Sequence, residues 1–199
     1  MCMKKLILLI ALCCIANLSN AQITVIPTIG MSCAFSEYAE KSQPGFNVGA
    51  IIDLPLSQKS WSFQTGLCYN NLKVNEYGRF IRIIGGKSIT FDDGRASKYN
   101  LLEVPVNLTK RIDFSEDANL YFVGGAYLSV YLSGEELLRT KGSSDYVLAH
   151  AYIDDVHLGF TLGAGVEINN VLVGLDININ ATNYYPLGFH LKLKTGYRF

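Results

Sequence analysis

The sequence is poor in charge. Asp, Glu, Lys and Arg make up 17% of its 199 residues, against about 25% in an average soluble domain. Neither sign dominates, since 17 basic residues face 17 acidic ones and the formal net charge is zero. That balance excludes a nucleic-acid protein held by a basic surface, and the apolar content excludes a disordered charged tail. Cysteine is scarce too: 5 in all, too few for a disulfide-dense scaffold. No stretch beyond the leader reaches the roughly 18 consecutive apolar residues of a transmembrane helix. Also missing are a Gly-rich phosphate loop, His-Glu-x-x-His, Cys-x-x-Cys and Gly-x-Ser-x-Gly, the patterns that would carry phosphate, metal, redox or acyl chemistry. No cofactor or metal is implied. What abounds is apolar and aromatic: 49% hydrophobic, with 12 Tyr, 10 Phe and 18 Gly, a composition of strands.

The leader reads as an export address. Lys4 and Lys5 form a positive start, Leu6–Ala16 an apolar core, and Ser19-Asn20-Ala21 a small-residue cleavage site. The apolar core is shorter than the roughly 20 residues that span a bilayer. Leu12 precedes Cys13 where a lipidation site needs a small residue, so Cys13-Cys14 is not expected to carry lipid. The reading is a signal peptide over 1–21 and one domain over 22–199. Cleavage removes Lys4 and Lys5, leaving 15 basic against 17 acidic residues, and it leaves only Cys33 and Cys68.

Through the mature chain, apolar and polar residues alternate with a period of two, the signature of strands with two unlike faces. The clearest case puts Phe189, Leu191, Leu193, Thr195, Tyr197 and Phe199 opposite His190, Lys192, Lys194, Gly196 and Arg198. The same split recurs in Val171–Thr182, Val156–Asn169, Leu120–Leu132, Tyr99–Ile112 and Trp61–Asn70, and more loosely in Phe46–Leu56 and Ile23–Phe35. Short polar connections at Ser57–Ser60, Ser115–Asn119 and Asn169-Asn170 suit hairpin turns. They alternate with longer ones at Ser36–Pro44, Lys73–Lys98, Ser133–Asp154 and Asn183–Gly188. Eight strands joined this way predict an all-β fold: an antiparallel up-and-down transmembrane β-barrel of the outer-membrane type. In Lys73–Lys98 the strands are expected to extend above the membrane and turn near Asp92-Asp93-Gly94.

The polar face is rich in Gly, Ser, Thr and Asn with isolated charges. A water-facing sheet would carry more Lys and Glu. The polar face is therefore assigned to the inside and the Leu/Val/Ile/Phe face to lipid. Outward aromatics gather at both ends: Phe35, Phe46, Tyr69, Phe160 and Phe189 toward the long loops, Trp61, Phe63, Phe122, Tyr197 and Phe199 toward the short turns. Two such girdles are expected at membrane interfaces. The inward charges are Asp53, Glu103, Glu167 and Asp176 against Arg111, Lys192, Lys194 and Arg198. Isolated buried charge is very costly, so these eight are expected to pair in a network filling a barrel too narrow for a pore. Cys33 points out and Cys68 in, which argues against a disulfide between them.

Two rival readings make testable contrasts. In a lipid-modifying outer-membrane hydrolase, Ser129 and His157, inward on neighbouring strands, would act together. The competing view makes His157 structural, hydrogen-bonded among Tyr127, Tyr131 and Glu103. The other rival is a soluble, lipocalin-like periplasmic barrel whose apolar face lines a cavity. The loop pairs Asp92-Asp93 and Asp154-Asp155 match no cation-binding spacing and read as solvated acids.

Several blocks together resemble the PorT-like outer-membrane β-barrel proteins of Bacteroidetes. They are the Asn-Ala-Gln end of the leader, Gly45–Ser57 with its Leu-Pro-Leu-Ser turn, and Ser-Phe-Gln-Thr-Gly-Leu-x-Tyr over Ser62–Tyr69. To these are added Tyr-x-Leu-Leu-Glu-Val-Pro-Val-x-Leu over Tyr99–Leu108, Leu162–Glu167 and the closing Lys-Thr-Gly-Tyr-Arg-Phe. The resemblance implies outer-membrane lipid as surroundings and no catalytic residues. It also implies a non-enzymatic structural, interaction or secretion-associated role, with other envelope or secretion proteins as partners. Tyr197 and Phe199 resemble the C-terminal signal read by the barrel-assembly machinery.

Overall fold

The computed structural model describes residues 23–35, 39–56, 60–76, 80–84, 87–91, 95–139, 146–150, 156–182 and 188–199. The leader, Asp92-Asp93 and Asp154-Asp155 lie outside the described residues. Eleven strands are formed: β1 (Thr24–Phe35), β2 (Ala39–Pro55), β3 (Trp61–Glu76), β4 (Phe80–Ile84), β5 (Lys87–Phe91), β6 (Arg95–Ser115), β7 (Ala118–Arg139), β8 (Tyr146–His150), β9 (Val156–Ile168), β10 (Val171–Asn180) and β11 (Phe189–Tyr197).

Eight of them close on themselves in the order β1-β2-β3-β6-β7-β9-β10-β11, every pair antiparallel, with β11 returning to β1 from Thr28↔Gly196 to Phe35↔Phe189. Closure leaves no open edge around the barrel. β8 continues the ladder on the upper part of β7, and β4 pairs with β5 in a separate hairpin. The two-residue turn between β9 and β10 is set by its sequence. Asn169 and Asn170 take φ of 48° and 68°, the left-handed pair that a type I′ hairpin turn needs and that Asn tolerates.

The barrel wall is uneven. β2, β3, β6 and β7 run 17, 16, 21 and 22 residues, whereas β9, β10, β11 and β1 run 13, 10, 9 and 12. A tilted transmembrane strand needs only about 9–11. The segments before Phe46, after Asn70, before Tyr99 and after Leu132 were expected as loops, yet the ladder continues there through Gln43↔Lys73, Glu76↔Arg95 and Ala96↔Leu137. Beyond the bilayer neither face must meet hydrocarbon, so the alternation that reveals a strand fades while the backbone pairing persists. β4 and β5 pair from Phe80↔Phe91 to Ile84↔Lys87, and the turn expected near Asp92-Asp93-Gly94 lies outside the described residues.

The faces divide as the alternation implies. β10 reads exposed and buried by turns along its whole length until Asn180. Leu158 and Leu162 on β9 are 54% and 59% exposed, while Thr161 and His157 between them are buried. Apolar side chains thus point out and polar ones in, the reverse of a soluble lipocalin-like barrel, and an apolar outer wall of this extent needs lipid against it. No helix among the described residues is long and apolar enough to cross a membrane; the strands do so instead. Aromatic pairs sit at both ends, with Phe35 stacked on Phe189 and Phe46 tilted on Tyr69 toward the long loops, and Tyr197 edge-on to Phe199 at the other end. There Lys110 Nζ stands 5.0 Å over the Trp61 ring and donates to Ser60 Oγ.

Candidate functional site

The interior is filled in layers. At the short-turn end lies a ring of four charges, three from strands and one from just past the last strand. Arg111 on β6 reaches Asp53 on β2 at 3.1 Å and Glu167 on β9 at 3.3 Å. Arg198, just past β11, pairs with the same two carboxylates, Asp53 Oδ2 and, at 3.4 Å, Glu167 Oε1. Ser62 Oγ and Gln64 Nε2 donate to Asp53 Oδ1 at 2.7 and 2.9 Å, and Arg111 Nη1 donates to Ser62 Oγ at 2.8 Å. Above this ring stands an apolar layer of Ile26, Ile51, Tyr121, Val123 and Leu172. Two inward glycines make room for its largest member. A Cβ on Gly174 would lie 1.9 Å from the Tyr121 hydroxyl oxygen and one on Gly165 2.5 Å from it, so the Gly-Ala-Gly run on β9 serves packing.

Deeper in the wall, Asp176 and Lys194 form a pair of their own at 2.5 Å. Next comes Glu103, 0% exposed. Lys192 Nζ donates to its Oε1, Asn178 Nδ2 lies 3.1 Å from both oxygens, and Asn70 Nδ2 donates to Oε2 at 3.3 Å. His190 Nε2 stands 3.5 Å from Oε2. A second apolar layer of Ala34, Leu72, Val74, Tyr99 and Leu101, backed by Tyr131, covers the long-loop end. Between the layers a cavity of about 20 Å³, lined by Asn47, Asn70, Asn107, Glu103, Asp176 and Lys192 among others, has room for about one water.

The eight inward charges therefore stand in three separate groups: Asp53, Glu167, Arg111 and Arg198; Asp176 and Lys194; Glu103 and Lys192. Each group balances to zero when His190 is neutral. Sequence reasoning passed over His190, Asn178, Asn70, Gln64 and Ser62, which complete the shells of the two central acids. Their signal was available, because each falls on the inward face of its strand. Cys33 and Cys68 are both free.

Ser129 and His157 are cross-strand partners, 4% and 2% exposed and turned away from lipid. His157 Nδ1 lies 3.0 Å from Thr182 Oγ1. That hydroxyl itself donates to Asn180 Oδ1 at 2.7 Å, so the ring nitrogen is the donor toward Thr182. The His157 ring meets Tyr131 edge-on at 4.7 Å. Of the surroundings expected for His157, Tyr131 is in contact, while Glu103 and Tyr127 also meet His190, the latter edge-to-ring at 6.0 Å. Antiparallel shear carries residues of distant strands to one depth, and strand order alone does not reveal this. No group of three or more metal-ligating side chains is found among the described residues.

No curated protein matches the sequence. Solved structures do match in shape. Neisserial surface protein A is 15% identical, over 90% of this chain and 98% of that one, with a TM-score of 0.53. OprG from Pseudomonas aeruginosa is 9% identical, over 89% and 95%, with a TM-score of 0.49. The outer membrane enzyme PagL is 14% identical, over 88% and 98%, with a TM-score of 0.45. Likeness at such identity is one of fold. The sequence family described as an outer membrane protein β-barrel domain, however, matches residues 16–198. With a closed eight-stranded barrel, an apolar outer wall and a polar interior, the chain belongs to the outer membrane protein β-barrel domain family and is a protein of the outer membrane.

Proposed function

We propose that this chain is a non-enzymatic barrel that serves the cell envelope as a structural or interaction element, with its long-loop end as the working surface. The filled interior carries this reading. Its charges are matched group by group, an apolar layer covers the long-loop end, and the cavity between admits about one water. Such an interior suits neither a diffusive pore nor a substrate channel. In this reading the interior charges, Asp53, Glu103, Arg111, Glu167, Asp176, Lys192, Lys194 and Arg198, hold the wall shut. Tyr197 and Phe199 present paired rings to the assembly machinery, and a signal over 1–21 delivers the domain 22–199 for insertion. The Tyr99–Leu108 and Gly45–Ser57 blocks support a place among PorT-like proteins, whose namesake is associated with secretion, and envelope or secretion proteins are the partners this suggests.

Two measurements on the purified chain test it. In planar bilayers no sustained open-channel current is expected, and steady single-channel steps would overturn the filled-interior reading. In vesicles containing acylated glycolipid, acyl chains should stay intact. Acyl release that Ser129→Ala abolishes would make the protein a hydrolase instead.

A further inference from the structure

On β3 and β6 the lipid-facing belt ends at a sharp polar line. The Tyr69 ring leans on Phe46 with centroids 5.6 Å apart, while its hydroxyl donates to Asn100 Oδ1 at 2.7 Å. Asn71 Nδ2 donates to the same oxygen at 2.7 Å, and Asn100 Nδ2 donates to Ser133 Oγ at 2.7 Å. Two residues further up each strand, on the same outward face, stand Lys73 and Lys98, directly paired across the ladder. A two-residue step rises about 7 Å along a strand. That roughly matches the depth of a headgroup layer, the difference per leaflet between a core of about 30 Å and a whole bilayer of about 40–45 Å.

Like charges set directly opposite each other on a strand pair destabilise it. Glu135 stands opposite Lys98 in the ladder on the other side of β6, so the register row Lys73–Lys98–Glu135 holds two cations to one acid. In outer-membrane barrels the longer loops face outward, which sets this row in the outer leaflet.

We propose that Lys73 and Lys98 clamp a phosphate monoester on the headgroup of an outer-leaflet lipid. Two neighbouring ammonium groups offer up to six donors and compensating charge to a dianionic, acceptor-only phosphate. The Tyr69–Asn100–Asn71–Ser133 line sets the depth at which the lipid's apolar part ends. A zwitterionic headgroup brings its own cation to the clamp and gains less.

The test uses the full chain folded in nanodiscs of phosphatidylcholine doped with bisphosphorylated lipid A. Native mass spectrometry counts the lipid A retained. Wild type is expected to keep lipid A in preference to its dephosphorylated form. Lys73→Gln/Lys98→Gln should lose about tenfold or more of that retention, Lys73→Arg/Lys98→Arg should keep it, and Lys110→Gln at the opposite end should change nothing. Added inorganic phosphate should not displace the lipid. Equal retention of the dephosphorylated form, no loss in the double Gln variant, or an equal loss in Lys110→Gln overturns the clamp. Displacement by inorganic phosphate alone overturns the lipid as its occupant.

Discussion

At the short-turn end of the interior two arginines and two carboxylates form a closed ring, while nearer the long loops one carboxylate, Glu103, serves a lysine, a histidine and two amides. In the ring every member has a second partner: Asp53 and Glu167 each meet both Arg111 and Arg198. At Glu103 there is no such duplication among the described residues, since Lys192 and His190 both rely on the one acid. The ring is also the wetter of the two, because the Arg198 side chain is 24% exposed, whereas Glu103 lies between two apolar layers. The contrast suggests that redundancy is placed where water already helps, and that the deep site relies on completeness of its single shell. A buried charge left alone is expensive in proportion to how far water is kept from it.

Breaking the deep shell should therefore do the most harm. Glu103→Gln leaves the buried Lys192 without its carboxylate and turns an acceptor into a donor among the Asn70 and Asn178 amides. Removing one partner of a buried pair costs about 3–5 kcal/mol, to be read from reversible urea unfolding in lipid vesicles. Asp53→Asn is the matched change in the ring. Glu167 still reaches both arginines there, so the expected loss is about 2–3 kcal/mol, the scale of hydrogen bonds to charged groups. If the two variants lose the same stability, duplication in the ring protects nothing and the distinction fails.

Which charges face inward could be read from residue order, but which charges meet could not. Lys192 and Glu103 are inward by the plain period of two on their strands, as are Asp53 and Arg198. Their meetings depend on shear, which brings Asp53 near the bottom of β2 to the depth of Arg198 past the end of β11, 145 residues away. The hairpin turn at Asn169-Asn170 was legible because its chemistry is local. The height of the wall on β3, β6 and β7 was not, because outside the bilayer the solvent no longer sorts side chains by face. His190 was overlooked for a related reason: its inward position was plain, but the acid it would meet lies on a strand 89 residues earlier than Lys192, its neighbour on β11.

The apolar layer between ring and deep site offers a change that touches neither set of charges. Gly174→Ala pushes a methyl group toward the Tyr121 hydroxyl. Overpacking of this kind costs about 1–3 kcal/mol. If ring and deep site are insulated from each other, the Gly174→Ala loss should add to that of Glu103→Gln in the double variant. A shortfall from additivity would show that the layer transmits strain between them.

The smallest effect belongs to Arg198→Gln. Arg111 still bridges Asp53 and Glu167, and the lost guanidinium was partly in water, so about 1 kcal/mol or less is expected. Its value lies in combination. With Arg111→Gln added, both carboxylates lose every cation the ring supplied, and the double variant should exceed the summed single losses by about 0.5–3 kcal/mol. Strict additivity would mean that the arginines act independently and that their sharing of two acids is geometry without energetic consequence. A coupling of that size would mean that the ring tolerates any single loss because each arginine stands in for the other, whereas Lys192 has a single acid partner among the described residues.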